Sequence, residues 1–397
     1  MRVLWVATKP PWPLIDGGRV LMWHTINALA RSGVDLTLVA PGDRSGDAQA
    51  VAKLQAFCRP ILVPTRYRNR ISSFSCALAR GEPFTIVRHR NAGVRDQVAK
   101  LLAKESFDVV HAEQVHAIAN CEPAFEKKVP VVFRAQNVES DLWEALAANR
   151  IVLRPMLRRE ARRLRAWEAA AVQRCEATVA LSMRDAEKLR ALTSRPQTIH
   201  HVRAPFPSAL PSLAGRVLSG EPAIVLFGSS GWAPNIDAAR WFIEDIWPAI
   251  SNRVPHAVLH SFASVRLRGS LPPRMIPHAA PRESSEAFPP GSILVVPLRV
   301  GSGVRIKILE AWARGIPVIA TPEAAQGLEA TDGSELMIAR DALEFANAVE
   351  AIHSQAGLRE SITLSARKKL LAENNPTSIA ENLVAIYRSV VTNPKER

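Results

Sequence analysis

The sequence predicts an α/β protein built from two doubly wound parallel sheets. Short apolar segments alternate with segments of helical periodicity along the whole chain, a pattern typical of βαβ units. A Pro- and Ser-rich stretch near residues 203–221 interrupts the alternation and indicates a linker, because Pro restricts its neighbours and removes backbone donors. A chain of 397 residues is long enough for two domains, each with a core.

Taken in order, the apolar segments define two series of candidate strands. The first series is Val3–Ala7, Asp35–Ala40, Ile61–Pro64, Asp108–His111, Val131–Arg134, Ala177–Leu181 and Thr198–Val202. The second series is Ala223–Phe227, Ala257–Ser261, Ile293–Pro297, Pro317–Ala320 and Leu336–Ile338. A helix with an apolar stripe follows Asn375-Pro376, a plausible helix entry. We therefore expect domains over 1–205 and 206–375, and a C-terminal helix over 376–397.

Composition excludes several protein classes. With 47% apolar residues, the chain is neither disordered nor fibrous, and no apolar run reaches the ~18 residues of a membrane span. The apolar stretch before Lys9 is too short for a signal-peptide core, so we expect a cytoplasmic protein. The four cysteines, Cys58, Cys76, Cys121 and Cys175, show no paired spacing, which favours buried thiols over a zinc site or a disulfide framework.

The excess positive charge lies in the first half of the chain. Residues 1–205 carry 32 basic and 19 acidic side chains, whereas residues 206–397 carry 19 and 18. The excess concentrates over Arg59–Lys104 and Arg150–Arg174. Such a face fits an anionic membrane surface, an acidic substrate or nucleic acid, or it only aids solubility. Nucleic acid is the weakest of these interpretations, because interleaved aromatic residues and a known binding motif are missing.

The first strand leads into a loop that ends in Gly17-Gly18 and a helical segment. Two glycines at a helix N-terminus leave backbone N–H groups accessible to an anion. The spacing matches neither the dinucleotide fingerprint nor a P-loop, so a simple turn is the alternative. We predict a phosphate-facing loop here.

The segment after Pro297 carries the strongest motif, which runs strand, Gly301-Ser-Gly303 turn, helix, Gly stop and strand. The glycines let a ligand approach the start of the helix, where the dipole favours negative charge. Arg305 and Lys307 lie at that same start and oppose the dipole. An anion between these cations, such as a diphosphate, explains the choice better than stability does.

Glu310 follows in the same mostly apolar helix. A carboxylate in this setting needs hydrogen-bonding partners, which sugar or ribose hydroxyls can supply. The alternative is an internal pair with a neighbouring Arg or Lys.

These features together resemble glycosyltransferase family 4, the group 1 transferases of the GT-B fold. The resemblance rests on the Gly17-Gly18 loop, the segment Gly301–Ala311, Gly315-Ile-Pro-Val-Ile-Ala-Thr321 and Gly327-Leu328. It implies two Rossmann-like domains that face each other across a cleft, with the C-terminal helix packing back on the first domain. It also implies a retaining transferase that uses a nucleotide diphosphate sugar, usually without a metal or other cofactor.

In the second domain the resemblance makes Glu310 the second carboxylate of a Glu-x7-Glu motif and expects it to hold donor ribose hydroxyls. Ser302 stands in place of the first carboxylate. The family's Arg and Lys pair is not evident after Gly228, and Arg305 and Lys307 are our replacement for that charge. Similarity to family members over 227–237 adds donor-binding residues, which are Gly228, Trp232 and Asn235.

In the first domain, Asp108-Val-Val-His-Ala-Glu-Gln resembles a strand end that carries a His-x-His pair in the family. His111 keeps one position and Glu113 takes the other, so both are predicted catalytic residues, with Arg305 and Lys307 assisting the leaving phosphate. The predicted acceptor-binding residues are His116, Arg134, Asn137 and Glu139. The alternatives are ordinary hydrogen-bonded loop structure at the strand end and helix capping by Asn137.

The predicted partners are a nucleotide-sugar donor and a glycan, glycolipid or lipid-linked acceptor, reached at an anionic membrane through the basic first domain. We therefore expect an enzyme of polysaccharide or cell-envelope biosynthesis. A small soluble acceptor is the plain alternative. The rivals from other classes are a nucleotide-sugar epimerase and a non-catalytic nucleotide-sugar-binding subunit, the second favoured by the absent first Glu.

Overall fold

The protein consists of two parallel sheets, each covered by helices on both faces. A computed structural model describes residues 1–42, 47–65, 70–148, 152–211, 217–228, 233–263, 270–281, 283–301 and 303–392. The predicted α/β class is confirmed. Within the described ranges, no helix combines the length and the hydropathy that a membrane span requires.

The first sheet has seven parallel strands in the order β3-β2-β1-β4-β5-β6-β7. The strands are β1 Arg2–Val6, β2 Asp35–Gly42, β3 Arg59–Pro64, β4 Val109–Glu113, β5 Val131–Ala135, β6 Ala177–Ala180 and β7 Ile199–His201. Every predicted strand of the first series is present. In register, Trp5 pairs with His111 and Glu113 pairs with Arg134, so the polar ends of β4 and β5 lie side by side.

The helices of this domain cover both faces of the first sheet. They are α1 Gly17–Arg31, α2 Asp47–Leu54, α3 Arg70–Arg80, α4 Phe84–His89, α5 Ala92–Lys104, α6 Glu122–Glu126, α7 Glu139–Ala148, α8 Arg154–Arg174 and α9 Met183–Arg190, with 3-10 turns at Val115–Asn120 and Pro196–Thr198. Asp16 caps α1 by accepting a hydrogen bond from the Arg19 backbone N–H.

The second sheet has six parallel strands in the order β10-β9-β8-β11-β12-β13. They are β8 Ala223–Gly228, β9 Val258–Ala263, β10 Met275–Pro277, β11 Ile293–Val296, β12 Val318–Ala320 and β13 Met337–Ile338. The five predicted strands of the second series are present, and β10 was missed. It is a three-residue edge strand with two exposed residues, and it ends in Pro277, so its sequence lacks an apolar run.

The helices that follow β8 include the C-terminal one. They are α10 Ala233–Trp241, α11 Trp247–Arg253, α12 Ile306–Ala313, α13 Pro322–Ala325, α14 Ala342–Ser354, α15 Ala356–Glu373 and α16 Pro376–Thr392, with a π turn at Phe242–Ile246 and a 3-10 turn at Ser284–Ala287. The helix α16 packs against α1, and its Tyr387 shares a buried core with Trp5 of β1. The predicted return of this helix to the first domain is confirmed.

One apolar core crosses between the domains. It joins Val20 and Leu21 of α1 to Ile306 and Leu309 of α12. Phe206, in the connection between the sheets, belongs to the same core. This core therefore holds the N-terminal ends of α1 and α12 against each other.

Candidate active site

A cleft of about 790 Å³ lies between the two sheets. Its walls include Lys9, Gln114 and Gln136, which follow the carboxyl ends of β1, β4 and β5, and Phe227-Gly228 at the end of β8. Ligand sites of open α/β sheets lie at these strand ends. The cleft is therefore the candidate active site.

Two helix N-termini meet at this cleft. An ideal Cβ atom at Gly17, the first residue of α1, would lie 3.3 Å from Cβ of Ile306, the first residue of α12. The first N–H groups of a helix have no partner within it, and the dipole makes this end electropositive. Both predicted glycines, Gly17 and Gly18, line the cleft beside Ile306. The arrangement favours an anion between the two helices.

The loop between β1 and α1 carries a compact charge cluster. Lys9 Nζ donates to Asp16 Oδ1 at 2.7 Å, and Arg19 Nε lies 3.2 Å from Asp16 Oδ2. Burial opposes ionisation of Asp16, but the two cations and the helix-capping hydrogen bond hold the pKa of Asp16 below its usual value. The loop is thus ordered around an ionised carboxylate and presents Gly18 to the cleft.

Lys307 projects from the first turn of α12 into the cleft. Its Nζ donates to the Phe227 backbone oxygen at 2.6 Å and lies 3.4 Å from Asn235 Oδ1. No carboxylate in the described part of the chain forms an ion pair with it. Burial, with nearby Arg305 adding repulsion, lowers the pKa of Lys307 to about 7. A bound anion would restore the full charge.

Arg305 is the N-cap residue of α12 and lines the same wall. Its Nη2 donates to the Gly303 backbone oxygen at 3.2 Å. Burial lowers the pKa of Arg305 to about 10, although Asp185 opposes the shift. The guanidinium remains charged at neutral pH and lies against Gly301 and Gly303.

Gly301 and Gly303 lie outside the cleft, contrary to the direct ligand contact predicted for them. They line a small pocket beside Ser182 and Gly327. Gly303 has φ +74°, and an ideal Cβ there would lie 2.2 Å from Asn137 Oδ1. Gly303 is needed because the second domain approaches the first so closely at this point. Gly301 packs against the Arg305 guanidinium. An ideal Cβ atom at Gly301 would lie 3.3 Å from Arg305 Nη1.

Glu310 lines the cleft one turn further along α12. Its Oε1 accepts hydrogen bonds from Ser284 Oγ at 2.9 Å and Arg314 Nη2 at 3.0 Å. Burial raises the pKa of Glu310, although Arg314 opposes the shift. An internal Glu–Arg pair is thus present, as the alternative interpretation predicted. Within the described ranges, Oε2 accepts no hydrogen bond and stays available to a ligand.

The remaining predicted donor residues are placed only in part. Gly228 and Asn235 line the cleft next to Lys307. Trp232 and Ser302 lie outside the described residues.

On the first-domain wall, three of the residues for which we predict acceptor binding line the cleft, which are His116, Asn137 and Glu139. The ring centroids of His116 and His89 lie 4.8 Å apart. Burial lowers the pKa of each imidazole to about 4. Both are neutral at pH 7, so each offers a hydroxyl one donor and one acceptor nitrogen.

Glu139 begins α7, and this helix start is capped from a neighbouring helix. Its backbone N–H donates to Glu168 Oε1 of α8 at 2.6 Å, a role that the alternative interpretation gave to Asn137. Asn137 Nδ2 instead donates to Glu139 Oε1 at 3.4 Å. Burial raises the pKa of Glu139, which suits a group that exchanges a proton with a ligand.

His111, Glu113 and Arg134 lie beneath the cleft and do not line it, so their predicted contact with substrate needs correction. Their side chains are 0%, 1% and 1% exposed. Glu113 Oε2 lies 3.2 Å from His111 Nε2 and 3.5 Å from Arg134 Nη1. Arg134 Nη1 also donates to Thr25 Oγ1 at 2.7 Å. These strand residues point into the layer between sheet and helices.

Sequence reasoning missed several residues of the cleft, which are Lys9, Asp16, Gln114, Gln136 and Ser284. Lys9, Gln114 and Gln136 follow strands, so their place after a strand end was the usable signal. Ser284 carried no signal, because a distant turn brings it to Glu310. Across the described ranges, no three His, Cys, Asp or Glu side chains gather as metal ligands would.

Chemically, the second-domain wall offers two cations and the α12 N-terminus to a phosphate group, with a carboxylate next to them, and the α1 N-terminus of the first domain meets them there. The first-domain wall offers neutral imidazoles, an amide and a carboxyl group to hydroxyls. The cleft can therefore hold an anionic leaving group opposite a hydroxyl-bearing molecule.

Several solved structures share this fold at low sequence identity. Anabaena HepE in complex with UDP-glucose has a TM-score of 0.66 at 12% identity, over 98% of this chain and 100% of that chain. Sucrose-phosphate synthase from Thermosynechococcus elongatus has a TM-score of 0.67 at 16% identity, over 98% and 99%. A putative UDP-N-acetylglucosamine 2-epimerase from Listeria monocytogenes has a TM-score of 0.54 at 10% identity, over 100% and 97%.

Family models match both halves of the chain, although no curated protein sequence does. Glycosyltransferase Family 4 matches residues 15–206, and Glycosyl transferases group 1 matches residues 221–355. Together the two matches span most of the chain and include every cleft residue described above except Lys9 of the loop after β1. The chain therefore belongs to the family 4, group 1 glycosyltransferases of the GT-B fold.

Proposed function

We propose that this glycosyltransferase is a retaining enzyme that moves a sugar from a nucleotide diphosphate sugar to a glycan, glycolipid or lipid-linked acceptor in polysaccharide or cell-envelope biosynthesis. The observation that carries the proposal is the meeting of the α1 and α12 N-termini next to Lys307 and Arg305. This site suits a diphosphate, and it faces groups that suit a hydroxyl acceptor.

Donor cleavage places negative charge on the leaving diphosphate, and stabilising that charge is the largest catalytic task. We assign it to Lys307, Arg305 and the helix N–H groups around Gly17-Gly18. These groups supply the positive charge without requiring a divalent ion. The leaving phosphate then takes the acceptor proton on the face it departs from, and the sugar keeps its anomeric configuration.

Glu310 and Ser284 are proposed to hold the nucleoside. The Oε2 atom of Glu310 is available, and Oε1 is fixed by Ser284 Oγ and Arg314. A carboxylate that is already fixed in place can accept hydrogen bonds from a pair of ribose hydroxyls with little rearrangement of its side chain. UDP complexes among the structural neighbours make UDP-sugars the first donors to test.

The acceptor is assigned to the first domain. His89, His116 and Glu139 offer hydrogen bonds there, and Trp143 and Leu146 of α7 add an apolar wall. A mixed wall of this kind fits an acceptor with both hydroxyls and apolar surface.

Membrane association is proposed from the first domain's surface. Exposed apolar residues accompany its basic stretches, namely Phe74 and Leu78 in α3, and Val152 and Met156 around the start of the Arg-rich α8. Apolar and cationic side chains together favour an anionic bilayer surface. Sedimentation with neutral and anionic liposomes tests this point, and equal binding to both contradicts it.

Two rivals predict different kinetics. An epimerase would convert its nucleotide sugar with no acceptor present, and a neighbour of that kind shares the fold. A binding subunit would hold the donor without even slow hydrolysis. A soluble small-molecule acceptor is the plain alternative to the membrane-linked one.

The experiment begins with thermal shifts in UDP-, GDP-, ADP- and dTDP-sugars, because a ligand at 100 Kd stabilises the folded state by about 2.7 kcal/mol. Release of nucleoside diphosphate is then measured with and without membrane lipid extract. We expect one nucleotide class to bind and its release to rise with the extract. Acceptor-independent conversion of the sugar, or absence of any stabilisation, contradicts the proposal.

A further inference from the structure

A buried chain of hydrogen bonds connects the C-terminal helix to the cleft. Tyr387 of α16 is fully buried, and its hydroxyl lies 2.7 Å from His111 Nδ1 in β4. His111 Nε2 lies 3.2 Å from Glu113 Oε2. Gln136 Nε2 donates to Glu113 Oε1 at 2.7 Å. The chain thus ends at Gln136, which lines the cleft.

The protons in these buried hydrogen bonds have one consistent arrangement. Burial lowers the pKa of His111, so its imidazole is neutral. Burial opposes ionisation of Glu113, but Arg134 and the His111 hydrogen bond hold its pKa below the usual value. A carboxylate only accepts, so the single imidazole proton lies on Nε2. Nδ1 is then an acceptor, and Tyr387, whose pKa burial raises, donates to it.

The same chain orients the amide of Gln136. Its Nε2 is directed to Glu113, so its Oε1 faces the opposite way, where it accepts from Gln114 Nε2 at 2.6 Å. That oxygen also lies 2.9 Å from an ideal Cβ position at Gly18. The orientation of this amide therefore shapes the cleft wall directly beside the N-terminus of α1.

The His111 ring cannot easily turn to satisfy a different partner. Trp5 stacks on it at 3.7 Å between ring centroids, with an interplanar angle of 18°. A hydroxyl at position 387 is thus the group that keeps Nδ1 supplied with a donor. A phenyl ring would fill the same space and leave that buried nitrogen without one, which is costly.

We propose that Tyr387 is a positioning residue for sugar transfer, acting through His111 and Glu113 to fix the Gln136 amide at the cleft. The inference rests on the proposed function of the cleft. It gives the returning C-terminal helix a part in the reaction as well as in packing, and it gives the buried His111 and Glu113 a role that needs no contact with substrate.

The test compares Tyr387→Phe with Val390→Ala, a matched control on the same face of α16 whose buried side chain is apolar. For Tyr387→Phe we expect kcat to fall about tenfold, because the loss of roughly one hydrogen bond raises the activation free energy by an amount that corresponds to that factor. The KM for the donor should change less than about twofold. For Val390→Ala we expect a lower melting temperature with kcat unchanged.

Nitrogen NMR of the histidine rings supplies a readout that needs no turnover. In the wild type we expect His111 as the neutral Nε2–H tautomer, and in Tyr387→Phe we expect loss of that single form together with a shift of the Gln136 side-chain amide signals. If these changes occur in a protein that transfers no sugar, the hydrogen-bonded connection from Tyr387 to Gln136 is supported and the proposed function is contradicted.

Three results overturn the inference. One is wild-type kcat in Tyr387→Phe, and another is an equal fall of kcat in Val390→Ala. The third is a His111 ring that is protonated on Nδ1 in the wild type, because Tyr387 could not then donate to it.

Discussion

Lys307 should make donor binding depend on pH in a defined direction. Its pKa is lowered to about 7 by burial, with Arg305 adding repulsion. A diphosphate beside Nζ stabilises the ammonium form, so binding takes up a proton whenever the free enzyme has lost it. Affinity is therefore highest below pH 7 and falls as the pH rises through that value.

The magnitude follows from the titration alone. With a free-enzyme pKa of about 7 and an ammonium that stays protonated in the complex, the fraction of enzyme with a charged Lys307 falls about tenfold between pH 6 and pH 8. The dissociation constant of the donor should rise by that factor, or roughly 1.4 kcal/mol. Uptake should approach one proton per donor at pH 8.

The assay is calorimetric titration of the intact nucleotide sugar at pH 6, 7 and 8, repeated at pH 8 in buffers of different ionisation enthalpy. The sugar-linked diphosphate avoids the titration of a terminal phosphate. Lys307→Arg keeps a permanent charge and should bind without this pH dependence, whereas Lys307→Met should bind weakly at every pH. Lys369→Met is the control, because Lys369 pairs with Glu373 and lies outside the cleft lining.

A dissociation constant that stays constant across this range in the wild type would refute the reasoning. So would a pH dependence that survives in Lys307→Met. Either result would mean that Lys307 is fully charged before binding or that the diphosphate lies elsewhere.

Other substitutions test the remaining parts of the site. Gly303→Ala and Gly333→Ala share a native φ of +74°, but a Cβ at Gly333 meets open space, whereas one at Gly303 would collide with Asn137 and the Gln136 backbone oxygen of the other domain. Gly333→Ala should therefore lose about 1 kcal/mol in thermal unfolding, and Gly303→Ala should lose more and also most of its kcat. Arg305→Ala should lower kcat by about 10²-fold in a nucleotide-release assay, whereas Arg299→Ala, an exposed pair with Asp237, should not. Glu310→Gln should raise the donor KM about tenfold with a smaller change in kcat, since it weakens a contact made before and during the reaction.

Most of the fold was predictable because both sheets are parallel and buried, so their strands read as apolar runs between helical segments. The strand β10 was not, because an edge strand of three partly exposed residues carries no such run. The return of the C-terminal helix came from the resemblance to a family and not from its own periodicity.

The second-domain site was predictable where function conflicts with helix stability, as for Lys307 and Arg305 at a helix start. The first-domain site was less so. His111 and Glu113 lie near the end of a strand that is buried on both faces, so its sequence shows no polar alternation that would identify the side chains that reach the cleft. The side chains that do reach it belong to Gln114 and Gln136, which follow the strand ends. The contact between Tyr387 and His111 spans 276 positions and has no local signal.

The most direct test of the account is a crystal structure with an intact nucleotide sugar. The account predicts the diphosphate between the α1 and α12 N-termini, with Lys307 Nζ and a backbone N–H of Gly17 or Gly18 within hydrogen-bond distance and the sugar facing His116. A diphosphate bound away from both helix starts, with Lys307 still donating to the Phe227 carbonyl alone, would contradict it.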